Sequence, residues 1–424
     1  MDLSSLIQRY NIPLPRHVNR HFGLYTALAA PAIALAVNLL FSNLSATTSS
    51  ILLAPRRRIQ AASTSPTTIP YPEDALPGAR DISTPYGSVR TYEFGPTTGR
   101  KVLLIHGIST PCISLASLAH ALVEKEGCRV LLFDLYGRGY SDTPDPKVWR
   151  QDAGLFCSQI MFVLSSSVEV KWLGGGEKFT VLGYSLGGGI GMVFTETFPN
   201  LVEGLILVAP SGLLRAKHFS RVSRLVYSGW LPPSLVEWYV GRRLRGGASK
   251  APSARTGNPE ATTGPDDEDE VPEHPALAAD SSASMLKGRP NISPARAVGW
   301  QVEAHPGFIA AFVSSIRFAP ISGQHERWRV VGRRQGEDGE GRLREGKVLM
   351  LLGKEDAVIV ADEAEEDGVA MLGVESVKVV RLAGGHDLPI VNVEGCVDAI
   401  SLFWQQGKMW EDPRQDRVEM SAAS

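Results

Sequence analysis

The five residues Gly183-Tyr184-Ser185-Leu186-Gly187 set a serine between two glycines at G-x-S-x-G spacing. Such a serine can act as an acyl-transfer nucleophile where a strand turns sharply into a helix, because side chains at the two glycine positions would collide there. Alone the motif is a weak signal. Its surroundings sharpen it, since strand-like Thr180 to Leu182 runs in and Gly188, Gly189 and a helical segment run out. A hydroxyl is a poor nucleophile at neutral pH and needs a base and a group to orient that base. Gly384-Gly385-His386-Asp387 and Gly353-Lys354-Glu355-Asp356 supply both, each at the end of an apolar run. Parallel strands ending at these points bring Ser185, Asp356 and His386 to one carboxyl edge, in the chain order Ser, Asp, His. Glu355, Asp362 and Asp367 are the rival acids; each sits off the strand end, and no carboxylate lies near Ser211 after the preceding strand, so Asp356 is preferred. The negative oxygen of a tetrahedral intermediate also needs two backbone N–H donors. The N–H of Leu186, one residue past the nucleophile, is the first, and Ile108 in His106-Gly107-Ile108-Ser109 offers the second. His106 reads as a buried structural residue, because the base comes from the tail.

These residues meet only if the chain between them alternates strand and helix. Gly87 to Phe94 alternates like an edge strand, and Lys101 to Ile105 is an apolar run of the kind that fills a buried parallel strand. Helix Ile113 to Glu126, strand Arg129 to Asp134, helix Trp149 to Ser165, strand Phe179 to Tyr184, helix Leu186 to Phe198 and strand Val202 to Ala209 continue the rhythm, which implies a parallel sheet with helices on both faces. The rhythm stops after Ser211 and resumes with strand Lys347 to Leu352, helix Asp362 to Leu372, strand Ser376 to Leu382 and a helix from Pro389. Residues 81–211 and 347–424 thus form one core, and 212–346 are an insertion. Its ends, Leu214 to Arg245 and Ala295 to Phe318, read as helical. Residues 246–290, rich in Ala, Ser, Pro and Gly and carrying the acidic run Asp266 to Glu270, read as disordered, and Gly323 to Gly346 as a surface loop.

The formal charge is −2, from 43 Lys and Arg against 45 Asp and Glu, so no global basic field exists to hold nucleic acid. The four cysteines, Cys112, Cys128, Cys157 and Cys396, form no C-x-x-C pair, so neither a zinc ribbon nor a disulfide framework is indicated. Nothing calls for a cofactor or a metal. No charged residue occurs from Phe22 to Pro55, and residues 22–41 have the length and apolarity of a bilayer-spanning helix. We expect residues 1–58 to carry an uncleaved single-pass anchor, ahead of a signal peptide and a mitochondrial presequence, with 59–80 as a Ser/Thr/Pro-rich tether. Arg9, Arg16 and Arg20 on one side match Arg56, Arg57 and Arg58 on the other, which leaves topology open.

Residues 87–211 and 347–407 resemble the α/β-hydrolase superfamily. The matching pieces are His106-Gly107-Ile108, the turn from Asp134 to Asp142 (DLYGRGYSD), the serine motif, the Gly353 to Asp356 strand end and Gly385-His386-Asp387. The resemblance implies an α/β-hydrolase fold with a helical cap inserted after the sixth strand, and a serine hydrolase similar to monoacylglycerol lipases, esterases and carbon–carbon bond hydrolases. Ser185 replaces the aspartate of epoxide hydrolases, and none of the nine histidines has Asp five residues on, which disfavours acyltransferase-like members. Between Leu214 and Arg245 seven Lys and Arg residues face one acid, Glu237, and interleave with Phe219, Tyr227, Trp230, Trp238 and Tyr239. Such a segment suits either a membrane interface with anionic lipid or a cap whose aromatics line an acyl pocket. The expected protein is a membrane-anchored hydrolase of small-molecule or lipid esters, with a carbon–carbon bond hydrolase and a catalytically silent binding protein on the same fold as alternatives. The oligomeric state is left open.

Overall fold

Apolar runs such as KVLLI, RVLLF and VLMLLG have no polar side to turn towards water, so they must be covered on both faces. The computed structural model describes residues 50–55, 71–249, 282–286, 288–289, 291–336 and 341–411, and it lays these runs side by side. Ten strands occur among these residues: β1 (Ile51–Leu52), β2 (Arg80–Thr84), β3 (Gly87–Phe94), β4 (Lys101–Ile105), β5 (Arg129–Phe133), β6 (Thr143–Pro144), β7 (Phe179–Tyr184), β8 (Val202–Val208), β9 (Val348–Gly353) and β10 (Val377–Leu382). Eight form one sheet in the order β10-β9-β8-β7-β4-β5-β3-β2. All its pairings are parallel except β3 with β5 and β2 with β3.

The helices of the core are α1 (Ala116–Glu126), α2 (Ala153–Ser165), α3 (Leu186–Thr197), and, after the insertion, α9 (Ala361–Leu372), α10 (Leu388–Val391) and α11 (Val393–Glu411). The insertion between β8 and β9 holds α4 (Arg221–Val226), α5 (Pro233–Ser249), α6 (Pro294–Ala304), α7 (Phe308–Phe318) and α8 (His325–Gln335). Helix α1 packs against α11, while α2, α3, α8 and α9 pack in succession. Every position of β5, β7 and β9 is buried, which is what helices on both faces produce. Helices α4, α5 and α7 share a small core of their own around Val226, Val236, Val240 and Val313.

The structure corrects several expected boundaries. The polar stretch Gly323 to Gly346 is not a loop throughout, because α8 occupies its first half. Trp328, Val331 and Gln335 lie at helical spacing and are buried, and Gly332 lets α8 approach α9 so closely that a Cβ there would sit 2.2 Å from the Leu372 carbonyl oxygen. The segment read as disordered over 246–290 is helical at 246–249 and packed at its far end, where Met285 and Leu286 are buried and the Met285 N–H donates to Ile292 O at 2.8 Å. Met285 and Leu286 join this end of the segment to the main hydrophobic core. The tether expected over 59–80 ends earlier, since Tyr71 and Leu76 are buried in the core and Arg80 opens β2. Part of the expected 1–58 segment also belongs to the fold: β1 pairs antiparallel with β6, and the Ala54 N–H donates to Asp142 Oδ1 at 2.7 Å. Among the described residues no helix is long and apolar enough to cross a membrane; the span expected at 22–41 lies outside them, as do most of the tether and residues 250–281.

Candidate active site

Ser185 sits between the end of β7 and the first turn of α3 with φ 54° and ψ −119°. Only it and Ala209 have positive φ among the described non-glycine residues, so the turn holds the serine in a strained conformation. The neighbouring glycines are required by close approach. A Cβ on Gly183 would lie 2.3 Å from Gly187 O, and one on Gly187 would lie 2.0 Å from Ile105 O. The strain is held by backbone bonds on both sides: the Ser185 N–H donates to Val208 O at 3.0 Å, and its carbonyl accepts from Gly188 at 2.9 Å and Ser211 at 3.0 Å.

His386 and Asp356 leave the carboxyl ends of the neighbouring strands β10 and β9. His386 Nε2 lies 2.9 Å from Ser185 Oγ, and its Nδ1 lies 2.9 Å from Asp356 Oδ2. A carboxylate facing Nδ1 places the ring proton there and leaves Nε2 free to accept from the serine hydroxyl. The Asp356 side chain is fully buried, and its Oδ1 accepts two N–H bonds, from Val358 and Ile359, each 2.8 Å. The structure therefore brings Ser185, His386 and Asp356 into one line. The rival acids are occupied elsewhere: Glu355 accepts from the Gly384 N–H at 2.6 Å and so braces the histidine loop, Asp362 pairs with Arg381, and Asp367 pairs with Arg215. Sequence reasoning passed over Tyr184 and Asp387, the residues beside the serine and the histidine. The Tyr184 hydroxyl donates to Asp387 Oδ1 at 2.6 Å, tying the histidine loop to the serine strand.

The two expected oxyanion donors lie on the elements that flank Ser185. Leu186 opens α3, so its N–H has no acceptor within that helix. Gly107 packs against the serine, and a Cβ there would lie 3.3 Å from Ser185 Cβ. His106 is fully buried, and that burial lowers its pKa to about 3, so the ring is neutral, with one donor and one acceptor nitrogen. Its Nε2 accepts from the Leu135 N–H at 2.8 Å, which leaves Nδ1 to donate to Gly107 O at 2.8 Å. That bond holds the carbonyl of the Gly107–Ile108 peptide, and in a trans peptide the Ile108 N–H then points the other way. His106 is thus buried as expected, and it also orients the peptide that carries a candidate donor.

Long-range contacts that left no local trace in the sequence brace the same loop. Arg138, fully buried, donates from Nε to Ile108 O at 3.0 Å and from Nη2 to Ser315 Oγ of α7 at 2.9 Å. Gln301 of α6 donates to Ser109 O at 2.9 Å and accepts from the Gly139 N–H at 2.8 Å. Burial pulls the Arg138 pKa down to about 9, and its hydrogen-bond partners are neutral oxygens. The four cysteines are free and buried, and among the described residues no group of three or more His, Cys, Asp or Glu side chains could hold a metal ion.

A mostly parallel sheet carries Ser185, Asp356 and His386 at its carboxyl edge, in the chain order Ser, Asp, His found in α/β hydrolases. Residues 101–238 match the family described as α/β hydrolase fold. Over 143 residues the chain is 32% identical to an uncharacterized protein of Mycobacterium tuberculosis, a match covering 34% of this chain and 38% of that protein. Over 139 residues it is 30% identical to a serine hydrolase-like protein of Homo sapiens, covering 32% of this chain and 64% of the relative. The chain therefore spans about two fifths of the mycobacterial relative's length and less than two thirds of the human one's. A bacterial membrane phospholipase A shares the fold with a TM-score of 0.53 at 17% identity, over 92% of this chain and 99% of that one. The family match over residues 101–238 and the shared architecture make this part of the chain similar to α/β hydrolases in sequence and in fold.

Proposed function

We propose that this protein is a serine hydrolase that cleaves a carboxylic ester through an acyl-enzyme, with monoacylglycerols and similar lipid esters as its substrate class. The observation that carries the reading is His386 bridging Ser185 and Asp356 at 2.9 Å on each side. In this reading Ser185 Oγ attacks the ester carbonyl while His386 Nε2 takes its proton, and Asp356 stabilises the imidazolium. The N–H groups of Ile108 and Leu186 hold the oxyanion. As the tetrahedral intermediate collapses, the C–O bond to the alcohol breaks and His386 returns the proton to the leaving oxygen. Water, activated by the same histidine, then hydrolyses the acyl-enzyme.

The helical insertion acts as a cap in this reading. Its support is that Gln301 and Ser315 reach from α6 and α7 into the loops beside Ser185, while the Pro320 carbonyl crowds Gly189, where a Cβ would lie 2.3 Å away. Residues 22–41 serve as a single-pass anchor in an endomembrane, on the strength of their uncharged composition. Asn43-Leu44-Ser45 and Asn291-Ile292-Ser293 have the N-x-S pattern of glycosylation acceptors, and a glycosidase shift at either would report a luminal side.

Covalent labelling by a fluorophosphonate and turnover of a short p-nitrophenyl ester test the chemistry. Ser185→Ala should abolish labelling and lower turnover by at least about 10³-fold. Undiminished labelling would place the nucleophile elsewhere.

A further inference from the structure

The pair α4–α5 turns only one side inward. Val226, Val236 and Val240 are buried in the small core shared with α7, whereas six large apolar side chains within eighteen residues face water: Val222, Leu225, Trp230, Leu235, Trp238 and Tyr239. Trp230, on the connection between the helices, is 88% exposed, and Trp238 is 57% exposed. On α5, Leu235, Trp238, Tyr239 and Arg242 follow each other at helical spacing and so share one outward stripe. The Arg242 guanidinium lies 6.0 Å from the centre of the Trp238 ring. A solvated helix face ordinarily places single apolar residues among polar ones, and six large apolar side chains exposed within eighteen residues point to an interaction surface.

Charge selects the partner. Arg221, Arg224, Arg242 and Arg243 are exposed on the same two helices and have no acidic partner among the described residues. Arg215 and Lys217, earlier in the insertion, are instead consumed by Glu363, Glu366 and Asp367 at the start of α9 and along it. Glu237, the one acid of the segment, falls on the opposite side of α5 from the tryptophan stripe. A basic patch alone would suit an acidic peptide equally well. Tryptophans with an apolar body and a polar N–H, set among arginines, fit the boundary between headgroups and acyl chains of an anionic bilayer. We infer that the α4–α5 face docks on an anionic lipid surface, with Trp230 and Trp238 inserted at the interface and the arginines on the headgroups.

The inference does not depend on the ester chemistry, so the test uses the full chain carrying Ser185→Ala, which leaves lipid intact. Phosphatidylcholine vesicles with brominated acyl chains, with and without phosphatidylserine, are titrated while tryptophan fluorescence is followed. Residues 22–41 contain no tryptophan, so an insertion of that segment cannot itself produce quenching. The expected result is quenching that requires phosphatidylserine, weakens as salt rises, and is largely lost in Trp230→Phe/Trp238→Phe. Replacing Arg221, Arg224, Arg242 and Arg243 with Gln should weaken docking by on the order of 10²- to 10³-fold. In the Ser185 background the same four changes should leave soluble-ester turnover within about two-fold, which doubles as a folding control. If that variant fails to fold, Trp230→Phe alone, at a site 88% exposed, carries the test. Quenching that survives the tryptophan changes, or that is equal on neutral vesicles and indifferent to salt, would overturn the inference.

Discussion

Replacing Asp356 with Asn tests the relay at its least visible point. The change keeps the size of the side chain and removes its charge, so the outcome depends on which way the amide faces. Two N–H groups, of half-exposed Val358 and buried Ile359, point at Oδ1 from 2.8 Å, and only an oxygen can receive them. Turning the amide nitrogen towards them would face donor with donor and strand the buried Ile359 N–H at roughly 1–3 kcal/mol. The amide oxygen therefore stays on that side, and the NH₂ group faces His386 Nδ1. Donor then meets donor unless the imidazole moves its proton to Nε2. A ring protonated at Nε2 can still hydrogen-bond to Ser185 but cannot take its proton. The fold survives and the base does not, which corresponds to a loss on the order of 10⁴-fold in kcat, or about 5.5 kcal/mol of barrier. Steady-state turnover of a p-nitrophenyl ester measures the loss, and the nitrogen shifts of the labelled imidazole report the tautomer. Asp362→Asn, at a side chain 83% exposed and paired with Arg381, should stay within about two-fold of the parent. Turnover of Asp356→Asn within ten-fold of the parent, or a comparable loss in Asp362→Asn, would refute the assignment of the acid.

Two further outcomes concern stability. His106 and His305 are buried with pKa values pulled down to about 3 and about 4, so between those values and the ordinary 6.5 the unfolded chain binds protons that the folded chain refuses. Stability should therefore be full above pH 6.5 and fall as the medium is acidified, by up to about 1.4 kcal/mol per pH unit for each histidine. Urea midpoints that stay constant from pH 7 to pH 5 would contradict it. Met285→Ala should lower stability by roughly 2–4 kcal/mol, because the side chain is fully buried, whereas exchanging residues 250–281 for a short Gly/Ser linker should leave ester turnover unchanged. A urea midpoint for Met285→Ala equal to that of the parent would show that the buried end of the insertion contributes nothing.

What was legible in the sequence was whatever a local rule enforces. The serine turn demands glycine at 183 and 187, the strand ends are marked by Gly353 and by Gly384-Gly385, and apolar runs named the central strands. Helix α8 was hidden because its Arg-rich face outnumbers the buried Trp328 and Val331, so its mean polarity read as loop. Strand β1 is two residues long and exists only because β6, some ninety residues later, offers it a partner. Arg138, Gln301 and Ser315 were invisible for the same reason: their bonds join residues 30 to 192 positions apart, and no spacing in the sequence encodes them. The role of His106 in orienting a peptide required knowing that Leu135 N–H occupies its other nitrogen.

The separation of Ser185 from His386 by 201 residues also orders events in the making of the protein. The serine turn, the Leu186 N–H and the His106-to-Ser109 loop are all synthesised before residue 187, on strands that become the middle of the sheet. The acid and the base arrive last, on β9 and β10, and β10 is the outermost strand on its side. A chain still emerging from the ribosome thus carries Ser185 without the histidine that, in the proposed mechanism, takes its proton. If the proposed triad is the catalytic one, a copy that lacks β10 lacks the base and is inert towards esters.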